Sequence, residues 1–186
     1  MSDSKHLKVF VSSTFVDLVE YRKRVIEVLN RYQFTPLAME FFGSRPHDPE
    51  TVCEDEIDQC DLFIGIYAHR YGYVPEGKEK SITQMEYELA KEQEKPRLCF
   101  VVDEDTPWKP KFIEFDKQKE LKKFQALVTT DHTVDFFSSP DDLAGKLATS
   151  LANYIAGRKK KAAQTKTDSD TVPIPRAPLP YIAHPY

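Results

Sequence analysis

The chain has 186 residues, a net charge of −4, 40% hydrophobic and 12% aromatic residues: enough apolar material for one ordinary domain plus a tail. An isoelectric point near 5.8 gives no general reason to expect nucleic-acid binding. The 3 cysteines make neither an even disulfide framework nor a zinc spacing, so reduced thiols and no metal are expected. No leader-like segment opens the sequence and no apolar run nears the roughly 20 residues of a membrane helix, so the expectation is a soluble, cytoplasmic protein with no membrane partner.

Strand and helix patterns alternate along the chain. A compact apolar strand at Leu7–Ser12 precedes a helix over Asp17–Tyr32, where Leu18, Val25, Ile26 and Leu29 recur at helical spacing among Arg22, Lys23 and Arg24. Phe34–Glu40 reads as a second strand ending in an acid. Asp48-Pro49 is an N-cap followed by proline at the first helical position, starting a helix to about Gln59. Asp61–Ala68, with its core Leu62-Phe63-Ile64-Gly65-Ile66-Tyr67, reads as a strand buried on both faces. A helix over Ile82–Glu94 is broken by Pro96 before the strand Arg97–Val102. Phe112–Leu127 is expected to be helical, Thr133–Phe137 a short edge strand, and Ser139-Pro140-Asp141-Asp142 the cap of a last helix to about Ala156. This alternation predicts an α/β domain over residues 1–157: a flavodoxin-like, TIR-like three-layer sandwich. It should hold about five parallel strands in the order 2-1-3-4-5, with helices on both faces and right-handed crossovers.

Past Gly157 the composition changes. Arg158-Lys159-Lys160-Lys161 leads into a polar stretch, and five of the 13 prolines lie at 173, 175, 178, 180 and 185. Residues 158–186 therefore read as a basic and then proline-rich linker or docking arm, the basic run as a solvated helix end and Val172–Tyr186 as a stretch favouring extended polyproline conformations. Trp108, between Pro107 and Lys109-Pro110, reads as a surface anchor for a loop or partner.

Two junctions carry the candidate chemistry. Val9-Phe10-Val11-Ser12-Ser13-Thr14 runs a buried strand into three hydroxyls at a helix start, where open α/β sheets bind ligands. Ser12, Ser13 and Thr14 can donate to a phosphate or ribose; alternatively Thr14-Phe15-Val16-Asp17 is a capping box with Asp in place of Glu. Ser81-Ile82-Thr83-Gln84-Met85-Glu86-Tyr87 places a carboxylate near a later helix start, and Thr83 to Glu86 again has capping-box spacing. Glu40 could bond ribose hydroxyls or simply meet solvent. His69, Arg70, Tyr71 and Tyr73 follow the third strand and so can rim the same crevice, Arg70 pairing with a pyrophosphate or, alternatively, with a carboxylate that fastens the loop.

Three words in this order, Val9–Leu18, Cys60–Ile66 with His69-Arg70-Tyr71-Gly72, and Ser81–Tyr87, resemble the TIR-like domain of unknown function in front of STAND (NACHT-type) NTPases. The resemblance covers about residues 7–155, and the proline-rich tail resembles the lead-in to such an NTPase. No Gly-x-x-x-x-Gly-Lys-Ser/Thr loop is present, so these residues do not form the NTPase. The resemblance implies a TIR/nucleoside deoxyribosyltransferase-like fold and a signalling or effector module, acting on oligomerisation in bacterial anti-phage defence. Its partners would be further copies, joined through the adjoining NTPase or TIR-like surfaces.

The alternative function it implies is an NAD or nucleotide N-glycosidase, with no cofactor required and NAD as a candidate substrate. Thr83-Gln84-Met85-Glu86-Tyr87-Glu88-Leu89-Ala90 resembles the Thr-x-x-Glu-x-x-x-Ala setting of the deoxyribosyltransferases, which implies Glu86 as catalyst. The TIR pattern would select Glu88 instead. Glu86 is preferred here for its place near the helix start.

Overall fold

The computed structural model describes residues 6–38 and 49–169. In chain order they form β1 (Lys8–Ser13), α1 (Val19–Arg31), β2 (Thr35–Leu37), α2 (Pro49–Gln59), β3 (Leu62–Tyr67), α3 (Ile82–Glu92) and β4 (Arg97–Val102). Two short 3-10 turns, Pro110–Phe112 and Phe115–Lys117, then lead to α4 (Gln118–Asp131), β5 (Asp135–Phe137) and α5 (Pro140–Ser169). The strands make one sheet in the order β2-β1-β3-β4-β5, and every pair is parallel. This is the flavodoxin-like order expected from the strand–helix alternation.

Burial explains why β3 is central. All six of its residues are buried, which requires cover on both faces, as in parallel sheets. Because side chains alternate along a strand, Phe63 and Tyr67 point one way, into a core with Phe10, Cys53, Ile57, Tyr87 and Phe124. Ile64 and Ile66 point the other way and are equally buried, as are Val9 and Val11 of β1. On that second side α1 and α5 are joined by the Tyr32 hydroxyl donating to the Ala148 carbonyl at 3.0 Å.

Several boundaries differ from the sequence expectation. α1 begins at Val19 rather than Asp17, with Leu18 at the cap and no side-chain cap bond. β2 is confined to Thr35–Leu37, and residues 39–48 lie outside the described part, Glu40 among them. The helix expected from Phe112 starts only at Gln118. Its buried stripe is Leu121, Phe124 and Val128, whereas the apolar residue that suggested an earlier start, Phe115, is 68% exposed. α5 does not stop near Ala156 but continues to Ser169. A glycine ends a helix by taking a positive φ, and among the described glycines only Gly72 and Gly77 do so. Gly157 stays helical, followed by the good helix formers Lys159–Lys161. Ser139 does cap α5, its hydroxyl accepting from the Asp142 amide at 3.1 Å.

The chain divides into two compact units, Met1–Ser150 and Leu151–Tyr186. The first holds the whole sheet. The described part of the second is helical, with the Arg158 guanidinium bonded to the Tyr154 hydroxyl at 3.0 Å.

Gly65 shows how tightly the first unit is packed. It pairs with Ser12 on one side and Cys99 on the other, and the Tyr67 phenol folds back over it so closely that any Cβ would overlap the ring. Tyr67 cannot swing away, being 3% exposed and set edge-on against Phe124 and Tyr87. Gly65→Ala is therefore expected to lower the unfolding free energy by roughly 1–3 kcal/mol through overpacking. Urea denaturation measures this, and an unchanged midpoint would refute the close approach.

Candidate functional site

Strand alternation separates the two serines at the end of β1. Ser12 points to the α3 side, where its hydroxyl, 1% exposed, donates to Glu86 Oε2 at 2.6 Å. Ser13 points toward α1 and accepts from the Arg22 guanidinium at 2.5 Å, itself donating to the Thr14 carbonyl at 2.8 Å. Arg22 is 2% exposed. The bridge between β1 and α3 thus carries a buried acid, with a buried cation one residue along the strand.

Glu86 is free for this role because another residue caps the helix. The N-cap of α3 is Ser81, whose side chain accepts from the Gln84 amide at 3.3 Å. The expected Thr83–Glu86 capping box is therefore displaced by two residues, leaving Glu86 in the second turn. Residues two apart on a helix point about 200° from each other, so Glu88 faces away from Glu86. It bonds Lys80 at 2.6 Å and Gln84 at 2.9 Å and does not line the cleft described next. Burial raises the pKa of Glu86; hydrogen bonds from Ser12 and the Cys53 thiol and the charge of Arg22 act against that rise without cancelling it. The Cys53 thiol is in turn pushed up, by burial first and by the Glu86 charge second.

Above Glu86 opens a cleft of about 310 Å³, lined by Ser13, Thr14, Arg70, Tyr73, Thr83 and Glu86 among others. It lies at the carboxyl ends of β1 and β3, where open parallel sheets present their loops. Gly72, at φ +97°, lets the loop after β3 pass Thr14 and Thr83; a Cβ there would stand 3.2 Å from the Thr14 methyl. Thr14 donates to Asp17 Oδ1 at 2.7 Å. This carboxylate bond replaces the amide cap expected of Thr14, and α1 begins five residues further on. Burial raises the Asp17 pKa, opposed by its bond to Thr14 and more weakly by the positive charge of Arg70.

The loop that carries Arg70 is clamped from behind. Glu114 accepts from the amides of Tyr71 and Gly72 at 2.8 and 3.0 Å. Lys117 donates to the Gly72 carbonyl at 3.1 Å and pairs with Glu114 at 3.2 Å. Two of the expected rim residues are scaffold here. Tyr71 is buried, its hydroxyl donating to Gln84 at 2.6 Å and accepting from the Ser81 amide at 3.3 Å. His69 lies against Trp108 at 5.2 Å between ring centres, and burial lowers its pKa.

Of the expected hydroxyls and charges, the structure brings Ser12, Ser13, Thr14, Arg70 and Glu86 together at one end of the sheet. Glu40 lies outside the described residues. Arg22, Cys53, Glu114 and Lys117 were not singled out from sequence. Only Arg22 left a signal, a charge on the buried stripe Leu18–Arg22–Val25–Leu29. Among the described residues no group of His, Cys, Asp and Glu could hold a metal, and no helix is long and apolar enough to cross a membrane.

Glu114 sets a pH dependence whose sign follows from its partners. Burial disfavours its ionised form, but the Gly72 amide and Lys117 outweigh that and hold its pKa below the ordinary 4.5. A depressed folded-state pKa contributes stability that is present above 4.5 and lost as pH falls toward the folded value. In Glu114→Gln the acid limb of stability below pH 4.5 should be shallower than in the parent protein, as followed by thermal unfolding across pH. An unchanged limb would dismiss the clamp.

A family profile described as "Domain of unknown function (DUF4062)" matches residues 8–152. Among solved structures, the Clostridium botulinum CMP N-glycosidase BcmB is similar at 16% sequence identity with a TM-score of 0.45, over 75% of this chain and 96% of that chain. No curated protein matches the chain.

Proposed function

We propose that this chain, which belongs to the DUF4062 family of domains of unknown function, hydrolyses the N-glycosidic bond of a nucleotide-like ligand with Glu86 as the acting carboxylate. The observation that carries this reading is the Ser12–Glu86 bond, 2.6 Å and buried, beneath a cleft lined by Glu86 itself, Arg70, Ser13, Thr14 and Thr83 among others. A carboxylate engaged only in holding the fold has no need of an open cleft beside it.

Chemically the arrangement suffices for a sugar–base cleavage. The bond from the anomeric carbon to the base nitrogen breaks with its electron pair leaving on the base, and positive charge spreads over the ring oxygen and the anomeric carbon. Glu86 stabilises that charge or bonds the carbon transiently. Water then adds at the carbon and releases its proton, returning the free carboxylate. Arg70 is suited to an anionic oxygen, while Ser13 and Thr14, whose protons go to the Thr14 carbonyl and to Asp17, have oxygens that can accept from ribose hydroxyls. A ligand whose base is already cationic, as in NAD, asks for no general acid, which suits a cleft with one carboxylate at its floor.

The charge state of Glu86 sets the test. Its raised pKa means that the neutral form is favoured in the fold: its contribution to stability is present below the ordinary value of 4.5 and lost as pH rises through the folded value. Glu86→Gln should therefore melt no lower than the parent near neutral pH, while base release from NAD or nucleoside monophosphates, followed by mass spectrometry, falls on the order of 10³-fold. Ser12→Ala removes a donor to the carboxylate, so the acid limb of kcat/KM should move to higher pH. Undiminished turnover by a folded Glu86→Gln protein would remove Glu86 as catalyst.

A second reading has its own observation. Phe15, Val16 and Tyr73 line the cleft mouth yet are 51%, 61% and 68% exposed, an apolar collar of the kind that marks interaction surfaces. It favours a signalling module that self-associates. The adjoining STAND NTPase and the anti-phage role rest on the sequence resemblance alone. If the collar is the interface, Val16→Asp should abolish self-association in sedimentation while leaving the monomer folded; persistence of the oligomer would reject it.

A further inference from the structure

Two helix faces of opposite charge share one surface of the first unit. α2 buries Cys53 and Ile57, and α4 buries Leu121, Phe124 and Val128, in one core on the same side of the sheet. At 3.6 residues per turn, the faces opposite those stripes carry Glu54, Asp55 and Asp58 on α2 and Lys119, Lys122 and Lys123 on α4, all six exposed. α3 runs between them: its Glu86 accepts from Cys53 of α2, and its Tyr87 hydroxyl and Lys91 bond Asp131 of α4 at 2.8 and 2.7 Å. We propose that this helical layer is a dimer interface, in which a two-fold rotation sets α2 of each copy against α4 of the other.

Charge complementarity names a second copy as the occupant. A two-fold interface uses the same patch twice, so what stands on one flank of the axis meets the opposite flank of the partner. Here the acids hold one flank and the lysines the other, and the rotation brings unlike clusters together at both. The clusters also match in length: Glu54 to Asp58 and Lys119 to Lys123 each cover one helical turn, about 6 Å. Neither cluster reaches the other within one chain, because α3 separates the two helices.

The charges are left over for such a contact. Among the described residues none of Glu54, Asp55, Lys119, Lys122 and Lys123 joins an ion pair, and Asp58 accepts from the neutral Gln93 side chain. Between the flanks, Ile57, Met85 and Leu89 line a small hollow beside Glu54. Glu88 of α3 is already paired with Lys80 at 2.6 Å, so its charge is matched before two copies meet. Ion pairs at a solvated surface are individually weak and screened by salt, which makes the expected dimer salt-sensitive.

Sedimentation velocity of the full chain tests this. A dimer is expected at about 0.05 M salt, with a dissociation constant roughly tenfold higher at about 0.5 M. Reversing one cluster, by Lys119→Glu, Lys122→Glu and Lys123→Glu together or by Glu54→Lys, Asp55→Lys and Asp58→Lys together, should give a folded monomer. Mixing the two reversed proteins should restore a dimer with one copy of each, a recovery that misfolding cannot imitate. The contact leaves the cleft mouth free, so Val16→Asp should not dissociate it, and the outcome does not depend on whether the cleft is catalytic. A monomeric parent at low salt, a dimer that survives either reversal or dissociates with Val16→Asp, or two reversed proteins that stay apart when mixed would each overturn the proposal.

Discussion

One hydrogen bond, from Ser12 at the end of β1 to Glu86 in α3, organises the candidate site across 74 residues of sequence. Its physical weight comes from the cost it offsets. Taking an ionised carboxylate out of water costs roughly several kcal/mol even after relaxation, while a hydrogen bond to a charged acceptor returns about 1.5–3 kcal/mol. The donors around Glu86 therefore reduce the penalty without erasing it, which agrees with the upward direction of its pKa. Such a group is held in place by its neighbours while burial shifts its pKa upward. Perturbed acids at clefts are candidates for function for that reason.

Much of the surrounding structure supports that bond. Tyr67, Tyr87 and Phe124 meet edge-on under α3 and fix the helix against the sheet, while Ser81 and Tyr71 secure its first turn. Behind the cleft, Glu114 and Lys117 hold the loop of Arg70 through backbone groups. Side chains that look like ligand contacts by residue type, His69 and Tyr71, are thereby used to build walls. Arg70, Ser13 and Thr14 remain at the cleft itself.

The same neighbourhood combines two surfaces of different character. The cleft is a polar floor with an apolar mouth, whereas an adjacent groove walled by Tyr21, Trp108 and Phe112 is aromatic with acids at its side. Asp17, which lines the groove, is bonded to Thr14 of the cleft through Oδ1.

Strand order, layer arrangement and the convergence of the β1 hydroxyls with Glu86 were legible in the sequence. They follow from local periodicity: β3 is apolar at every position, and a parallel sheet with short crossovers leaves few orders open. Element ends were less legible, since apolar residues such as Phe115 read the same whether buried or exposed, and Gly157 reads as a stop although its φ stays helical. The tertiary structure alone decided whether Ser81 or Thr83 caps α3, and so whether Glu86 was a cap or a buried acid. It alone brought Arg22, Cys53 and Glu114 to the site from distant elements. Contacts of that kind depend on which faces meet across the sheet, and a linear pattern of polar and apolar residues specifies the face of each element but not the atom it will find opposite.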